Sequence, residues 1–226
     1  MNHFWYKING YGNKIIITEK GTERTLKKFE KIKGLKIKIN GNNNYININL
    51  DSKNFHRITI SLHSSNTQIK INQFKYIENL HITSCFGNNQ KLEIGGNCII
   101  NGLLVYLNEE NAKVKIGDNC LFSDNIKLWA TDGHCIINST TKEVINPIKS
   151  GIEIGNNCWL GQSVCLTKNA KLPNNTIVGI GSVVTKEFQK ENTIIAGNPS
   201  KIIKEGVCWD YRPPAIYQKE TSSNLL

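Results

Sequence analysis

The sequence predicts an all-β chain wound as a left-handed parallel β-helix, and three observations carry that prediction. Ile154, Leu160, Leu166, Leu172, Val178 and Val184 stand six residues apart, and every one is a large aliphatic. Two residues before each stands a smaller or medium-sized side chain: Ile152, Cys158, Val164, Ala170, Thr176 and Ser182. The residue after each is Gly155, Gly161, Thr167, Pro173, Gly179 or Thr185, mostly small or turn-forming. A period of six suits neither an amphipathic helix nor a simple alternating hairpin. It suits a triangular prism with one short strand per face and three six-residue units per turn. The large aliphatic fills the axis, the smaller residue packs beside it, and the residue after the aliphatic turns the corner. Each coil then hydrogen-bonds to the next at about the usual strand separation of ~4.8 Å.

Taken in chain order, residues 1–33 are expected to cap the prism. A strand pair centred on KIIITE (14–19) precedes a lysine-rich stretch, TLKKFEKIK (25–33), which is read as cap or short helix. The β-helix is expected over residues 34–188. Its first half repeats more loosely, with alternations at KIKI (36–39), YINI (45–48), RITI (57–60), QIKI (68–71), NLHI (79–82), KLEI (91–94), GLLV (102–105) and KVKI (113–116). Their spacing of mostly eleven or twelve residues is close to two faces of the prism. The same coil continued is the preferred reading, and a separate β-domain stacked on the first is the alternative. The six-residue beat is lost once, over 131–151, which predicts an ejected loop. Loops of that length inside a compact repeat are usually functional or disordered. Residues 189–226 leave the prism as an exit segment followed by a polar, mobile tail from about residue 215.

A chain of 226 residues can bury one continuous core. No apolar stretch approaches the ~20 residues of a transmembrane helix, and the N-terminus lacks the pattern of a signal peptide. Seven cysteines form an odd set without a CxxC pair. Cys98, Cys120 and Cys158 share one repeat slot, four residues after Ile94, Ile116 and Ile154, as small buried hydrophobes would. Unpaired cysteines predict a reducing, cytoplasmic setting. The net charge of +10 reads either as a lysine-rich solvated surface that blunts sheet edges or as attraction for a polyanion.

His134, in the sequence Asp132-Gly133-His134 of the ejected loop, is the one histidine in the regular half of the chain. A histidine near neutral pKa is the obvious general base for a hydroxyl or amine. Asp132 could fix its tautomer, and a backbone carbonyl could do so equally well. His56, His63 and His81 fall in the N-terminal ladder and read as outward, solvated side chains.

The segments IGNNCWLGQSVCL (154–166), VGIGSVVTKEF (178–188) and AGNPSKIIK (196–204), preceded by TDGHCI (131–136), together resemble the hexapeptide-repeat acyltransferases. The similarity covers roughly residues 90–210 and is nearest to the branch that O-acetylates capsules, lipopolysaccharides and similar surface glycans. It implies a homotrimer with acetyl-CoA in a groove between neighbouring prisms and His134 pointing into that groove as the base. It also implies a donor for the developing oxyanion, from the backbone N–H of Gly161 or the indole N–H of Trp159, a term often worth several kcal/mol. Trp159 is further expected to line the acetyl channel or stack on a sugar. Gly179 and Ser182 are expected to let the cofactor approach closely. Gly197 and Pro199 shape the exit turn, and Lys186 and Lys201 reach phosphate, with Lys168 a third such lysine. Trp129 and Trp209 read as acceptor or adenine contacts, or as core or cap packing.

The activity these readings imply is O-acetyl transfer to a surface saccharide, an acidic one if the charge is informative, with contact to membrane-bound glycan machinery. N-acetylation of a nucleotide-linked amino sugar is the alternative. No metal is expected: hydration chemistry on this prism needs three histidine ligands, and His134 stands alone in the regular coils. A passive solenoid would need no ejected loop, and nucleic-acid binding would need interleaved aromatics or a recognition motif.

Overall fold

The computed structural model describes residues 6–27 and 30–223. It is a left-handed parallel β-helix with three faces. The first face stacks Lys14–Glu19, Tyr45–Asn49, Gln68–Ile71, Lys91–Ile94, Lys113–Ile116, Ile152–Ile154 and Lys171–Leu172, all in parallel register. The second face carries Leu121–Phe122, Trp159–Leu160 and Ile177–Val178, and the third carries Ile126–Trp129, Cys165–Leu166 and Val183–Val184.

Register turns the six-residue pattern into buried columns. On the first face Ile17, Ile48, Ile71, Ile94, Ile116, Ile154 and Leu172 stand directly above one another, all buried. The second face stacks Ile100, Phe122, Leu160, Val178 and Ile195, and the third stacks Val105, Leu128, Leu166 and Val184. Corner residues Asn97, Asn119, Asn157 and Asn175 adopt left-handed backbone, with φ of 55–57°, which asparagine tolerates through its short polar side chain. Cys98, Cys120 and Cys158 are buried beside this corner as the repeat slot predicts, their thiols donating to the carbonyls of Gly117, Gly155 and Pro173.

The N-terminal half is the same coil with longer turns, not a second domain. Tyr45 pairs with Gln68 and Gln68 with Lys91, twenty-three residues per coil, whereas Glu153 pairs with Lys171, eighteen residues on. The eleven-to-twelve-residue spacing is therefore half a long coil. Tyr76–Ser84 and Ile99–Tyr106 each run through the second and third faces as one strand, so the corner between those faces interrupts neither.

Both ends differ from expectation. Tyr6–Asn9 and Lys14–Glu19 already pair in parallel with the next coil, and only Thr22–Thr25 runs antiparallel. The described residues of 25–33 form no helix. Leu26 and Ile32 instead lie against the end of the core, and Arg24 bridges Glu19 and Glu30. At the other end the polar segment after Pro213 is helical over Pro214–Ser223, tied back where Arg212 meets Asp210 and Glu220. Among the described residues no helix is long and apolar enough to cross a membrane.

Candidate functional site

The ejected loop leaves the third face after Ala130 and rejoins the first at Ile152, so it occupies the edge between those faces. Two hydrogen-bonded clamps hold its base. Thr131, only 5% exposed, donates its hydroxyl to Glu109 and accepts the N–H of Gly133 at 2.8 Å. Gly133 takes a φ of +73°, a conformation open to glycine, and this turns the chain so that His134 projects outward. The second clamp centres on Asn146. Its side-chain N–H group donates to the Asp132 carboxylate at 2.8 Å and to the His134 carbonyl at 3.0 Å, and its side-chain oxygen accepts the N–H of Ile136 at 2.7 Å.

Lys168 completes that clamp from the coil below, pairing with Asp132 at 2.5 Å and donating to the Asn146 carbonyl. Burial works against the charged form of Asp132. The hydrogen bonds from Lys168 and Asn146, with the Lys168 charge, outweigh it and hold the carboxyl below its ordinary range. Asp132 therefore anchors the loop and makes no hydrogen bond to the His134 ring, against the expected tautomer-fixing role. Lys168 serves this anchor and is not a free phosphate ligand. Beyond the clamp the loop folds back on itself through the Ile137–Val144 bridge and exposes Ile136, Ile137, Val144 and Ile145.

His134 is exposed at the wall of a cleft of about 480 Å³ shared with Phe86, Glu109, Glu110, Lys113 and Lys149. Every carboxylate of that cleft is engaged: Glu109 with Thr131, Glu110 with the Asn88 N–H and the Asn89 amide, Asp132 with Lys168 and Asn146. Among the described residues Lys113 and Lys149 form no salt bridge, while Glu109 and Glu110 are held only by neutral donors, so the three lysines of the lining face three carboxylates. Phe86, half exposed at the rim, offers a ring face beside it.

The other expected site residues lie on different edges of the prism. Gly161 and Gly179 sit at the corner between the second and third faces, and each gives its N–H to the coil, to Val178 and Ile195 respectively. Gly161 is thereby removed as an oxyanion donor. A side chain on it would meet the backbone of Val178 and Ile180 at 2.9 Å, so its smallness serves coil packing. Ser182 is 1% exposed and accepts the Gly197 N–H at 3.1 Å. It positions the exit hairpin and offers no surface to a cofactor. That hairpin, Thr193–Gly197 against Ser200–Glu205, exposes Gly197, Pro199 and Lys201 on the same corner. Lys186 stands exposed one coil below Lys168, its ammonium 5.4 Å from the Phe188 ring. Trp159 is 38% exposed at the start of the second face, tilted against Trp209, whose indole N–H donates to the Asn157 carbonyl. Trp129 stacks on Tyr106 with ring centroids 3.9 Å apart, a packing role.

Sequence reasoning missed Thr131, Glu109, Asn146 and Phe86. Glu109 lies on a neighbouring coil's corner and Asn146 inside the stretch without periodicity, so no spacing marks either. The Asn146-Pro147 dipeptide, a turn signal, was the available hint.

No protein-family profile matches the chain. A polysialic acid O-acetyltransferase of Neisseria meningitidis is 32% identical over 175 residues, covering 75% of this chain and 76% of that protein. Galactoside O-acetyltransferase of Escherichia coli (strain K12) is 32% identical over 132 residues, 58% of this chain. The chain thus spans 57% of that enzyme's own length. The crystal structure of the polySia-specific acetyltransferase NeuO superposes with a TM-score of 0.65 at 26% identity, covering 99% of both chains. The chain belongs to the hexapeptide-repeat O-acetyltransferases.

Proposed function

We propose that this protein transfers an acetyl group from acetyl-CoA to a hydroxyl of an acidic saccharide, with His134 as general base. The observation that carries the reading is His134, exposed at the wall of a cleft that Lys113 and Lys149 also line without a salt-bridge partner among the described residues. Either lysine can pair with a carboxylate of the acceptor through a charge-assisted hydrogen bond. The Neisseria relative, a polysialic acid O-acetyltransferase, supports the same class.

Acetyl-CoA supplies the acetyl group as an activated thioester. His134 removes the acceptor hydroxyl proton as that oxygen bonds to the acetyl carbon. The carbon–sulfur bond breaks, and the imidazolium returns the proton to the departing thiolate, so protons and charge balance. The exposed ammoniums of Lys186 and Lys201 and the exit turn at Gly197 and Pro199 fit the phosphates of a polyanionic cosubstrate.

Two features support a homotrimer. Ile136, Ile137, Val144 and Ile145 form an exposed apolar tip on the loop, and such patches mark interaction sites. His134, the exit hairpin and Trp159 occupy three different edges of one prism. A site that uses all three needs edges from neighbouring copies, and the Trp159 indole N–H remains the donor available to the oxyanion.

The test is thiol release from acetyl-CoA with sialylated, uronic-acid, neutral and amino-sugar acceptors, on wild type and His134→Ala. Release with an acidic saccharide, falling about 10²-fold or more in the variant, is expected. Release that is unaffected by the substitution would remove His134 from the mechanism. Turnover confined to amino sugars would move the reaction to N-acetylation.

A further inference from the structure

A groove of about 1050 Å³ runs along the N-terminal coils, on the edge between the second and third faces. It shares no lining residue with the His134 cleft. Its floor follows one position down successive coils, Arg57, Asn79 and Gly102 in register, then Asn125. Three coil steps at ~4.8 Å make it about 14 Å long. Gly102, like Gly161, lets the next coil pack closely: a side chain there would come within 3.0 Å of the Asn125 nitrogen.

The charges of the groove are arranged as in the cleft. Glu19 is paired with Arg24, while Glu78 accepts from the neutral Tyr76 hydroxyl and meets His56, an ion pair only when that ring is protonated. Among the described residues Lys33, Lys53 and Arg57 have no acidic partner, while Asp124 at the lower end is the one carboxylate without a salt bridge. The amides of Asn79 and Asn101 stand between them without hydrogen-bonded partners. Uncommitted cations above a row of amides match a chain carrying both carboxylates and hydroxyls. Arg57 in particular presents the planar fork that pairs with a carboxylate through two hydrogen bonds.

We infer that this groove is a second binding site, which grips a carboxylate-bearing oligosaccharide away from the hydroxyl being acetylated. The inference deepens the acidic-acceptor reading and rests on it for the class of ligand. A polymer held in the groove presents its remaining residues to the catalytic centre at raised local concentration. The groove therefore governs affinity for long acceptors and leaves the chemical step alone.

The experiment measures binding without acetyl-CoA, by calorimetry on the full chain, with oligomeric sialic acid, a single sialic acid glycoside and neutral maltodextrin. The proteins are wild type, the Lys53→Ala/Arg57→Ala double variant and His134→Ala. The double variant removes two exposed side chains outside the core, and its far-ultraviolet dichroism reports retained fold. Expected are oligomer binding by wild type and His134→Ala and at least about tenfold weaker binding by the double variant. In turnover the double variant raises KM for the oligomer and leaves kcat for the single glycoside unchanged. Unchanged oligomer affinity in the double variant, equal affinity for maltodextrin, or no oligomer binding by wild type would each overturn the groove. Loss of the catalytic reading would show separately, as thiol release indifferent to His134→Ala while the binding results stand.

Discussion

Replacing Asn146 with alanine removes three hydrogen bonds at once, to Asp132, to the His134 carbonyl and from the Ile136 N–H. At about 0.5–1 kcal/mol each for partly exposed groups, the loop loses about 1.5–3 kcal/mol of ordering free energy. None of these atoms belongs to the axial columns, so the cost falls on the loop and leaves the prism intact. A 2 kcal/mol loss shifts the local open-to-closed ratio about thirtyfold. Hydrogen exchange reads this directly: protection of the Ile136 amide should fall by about that factor, while amides of Leu160 and Val178 keep theirs. Thiol release should fall by about tenfold or more, with a melting midpoint within a few degrees of wild type. Unchanged Ile136 protection would refute the staple. Equal loss of protection at Leu160 would show that Asn146 supports the whole coil and not the loop.

Other substitutions test other layers. Leu160, fully buried between Phe122 and Val178, should cost about 2–5 kcal/mol as Leu160→Ala, seen as a lower urea midpoint at unchanged slope. Lys168→Met removes the cation and one hydrogen bond that depress the Asp132 pKa while burial persists, so the carboxyl should titrate higher by carbon-13 NMR; an unmoved midpoint would contradict the assigned cause. In the wild type the depressed value means the clamp is complete above the unfolded carboxyl pKa of about 3.9 and is lost as pH falls through the lower folded value. Asp210, held at about 2 by its hydrogen bonds from Arg212, should likewise keep the C-terminal tie intact at pH 4 and release it only near its own midpoint; a titration at the ordinary aspartate value would show the tie absent in solution.

The site was legible only in part because its residues answer to different physical rules. His134 stood out because the loop breaks a periodicity, and a break is visible in sequence without any structure. The two clamps had no such signature. Asp132 and Lys168 are thirty-six residues apart and meet because one insertion displaces the coil above while the corner of the coil below stays in place. Gly161, Gly179 and Ser182 carry the small-residue pattern expected near a bound cofactor. Their N–H groups and hydroxyl are already used by the coil and the exit hairpin. Smallness at a corner has two causes, close packing of the next coil and close approach of a ligand, and composition does not separate them.

By itself the sequence determined the prism, its axial columns in the C-terminal half and the point where the loop leaves. Each of these follows from local spacing, because a six-residue beat places one aliphatic per face and register repeats it coil after coil. The tertiary structure alone decided which side chains are free to act. It put His134, the exit hairpin and Trp159 on three edges, committed each carboxylate of the cleft to a partner, and left Lys113, Lys149 and Arg57 uncommitted. Commitment of a polar group depends on neighbours a full coil away in sequence, and only the folded chain brings them within hydrogen-bond reach.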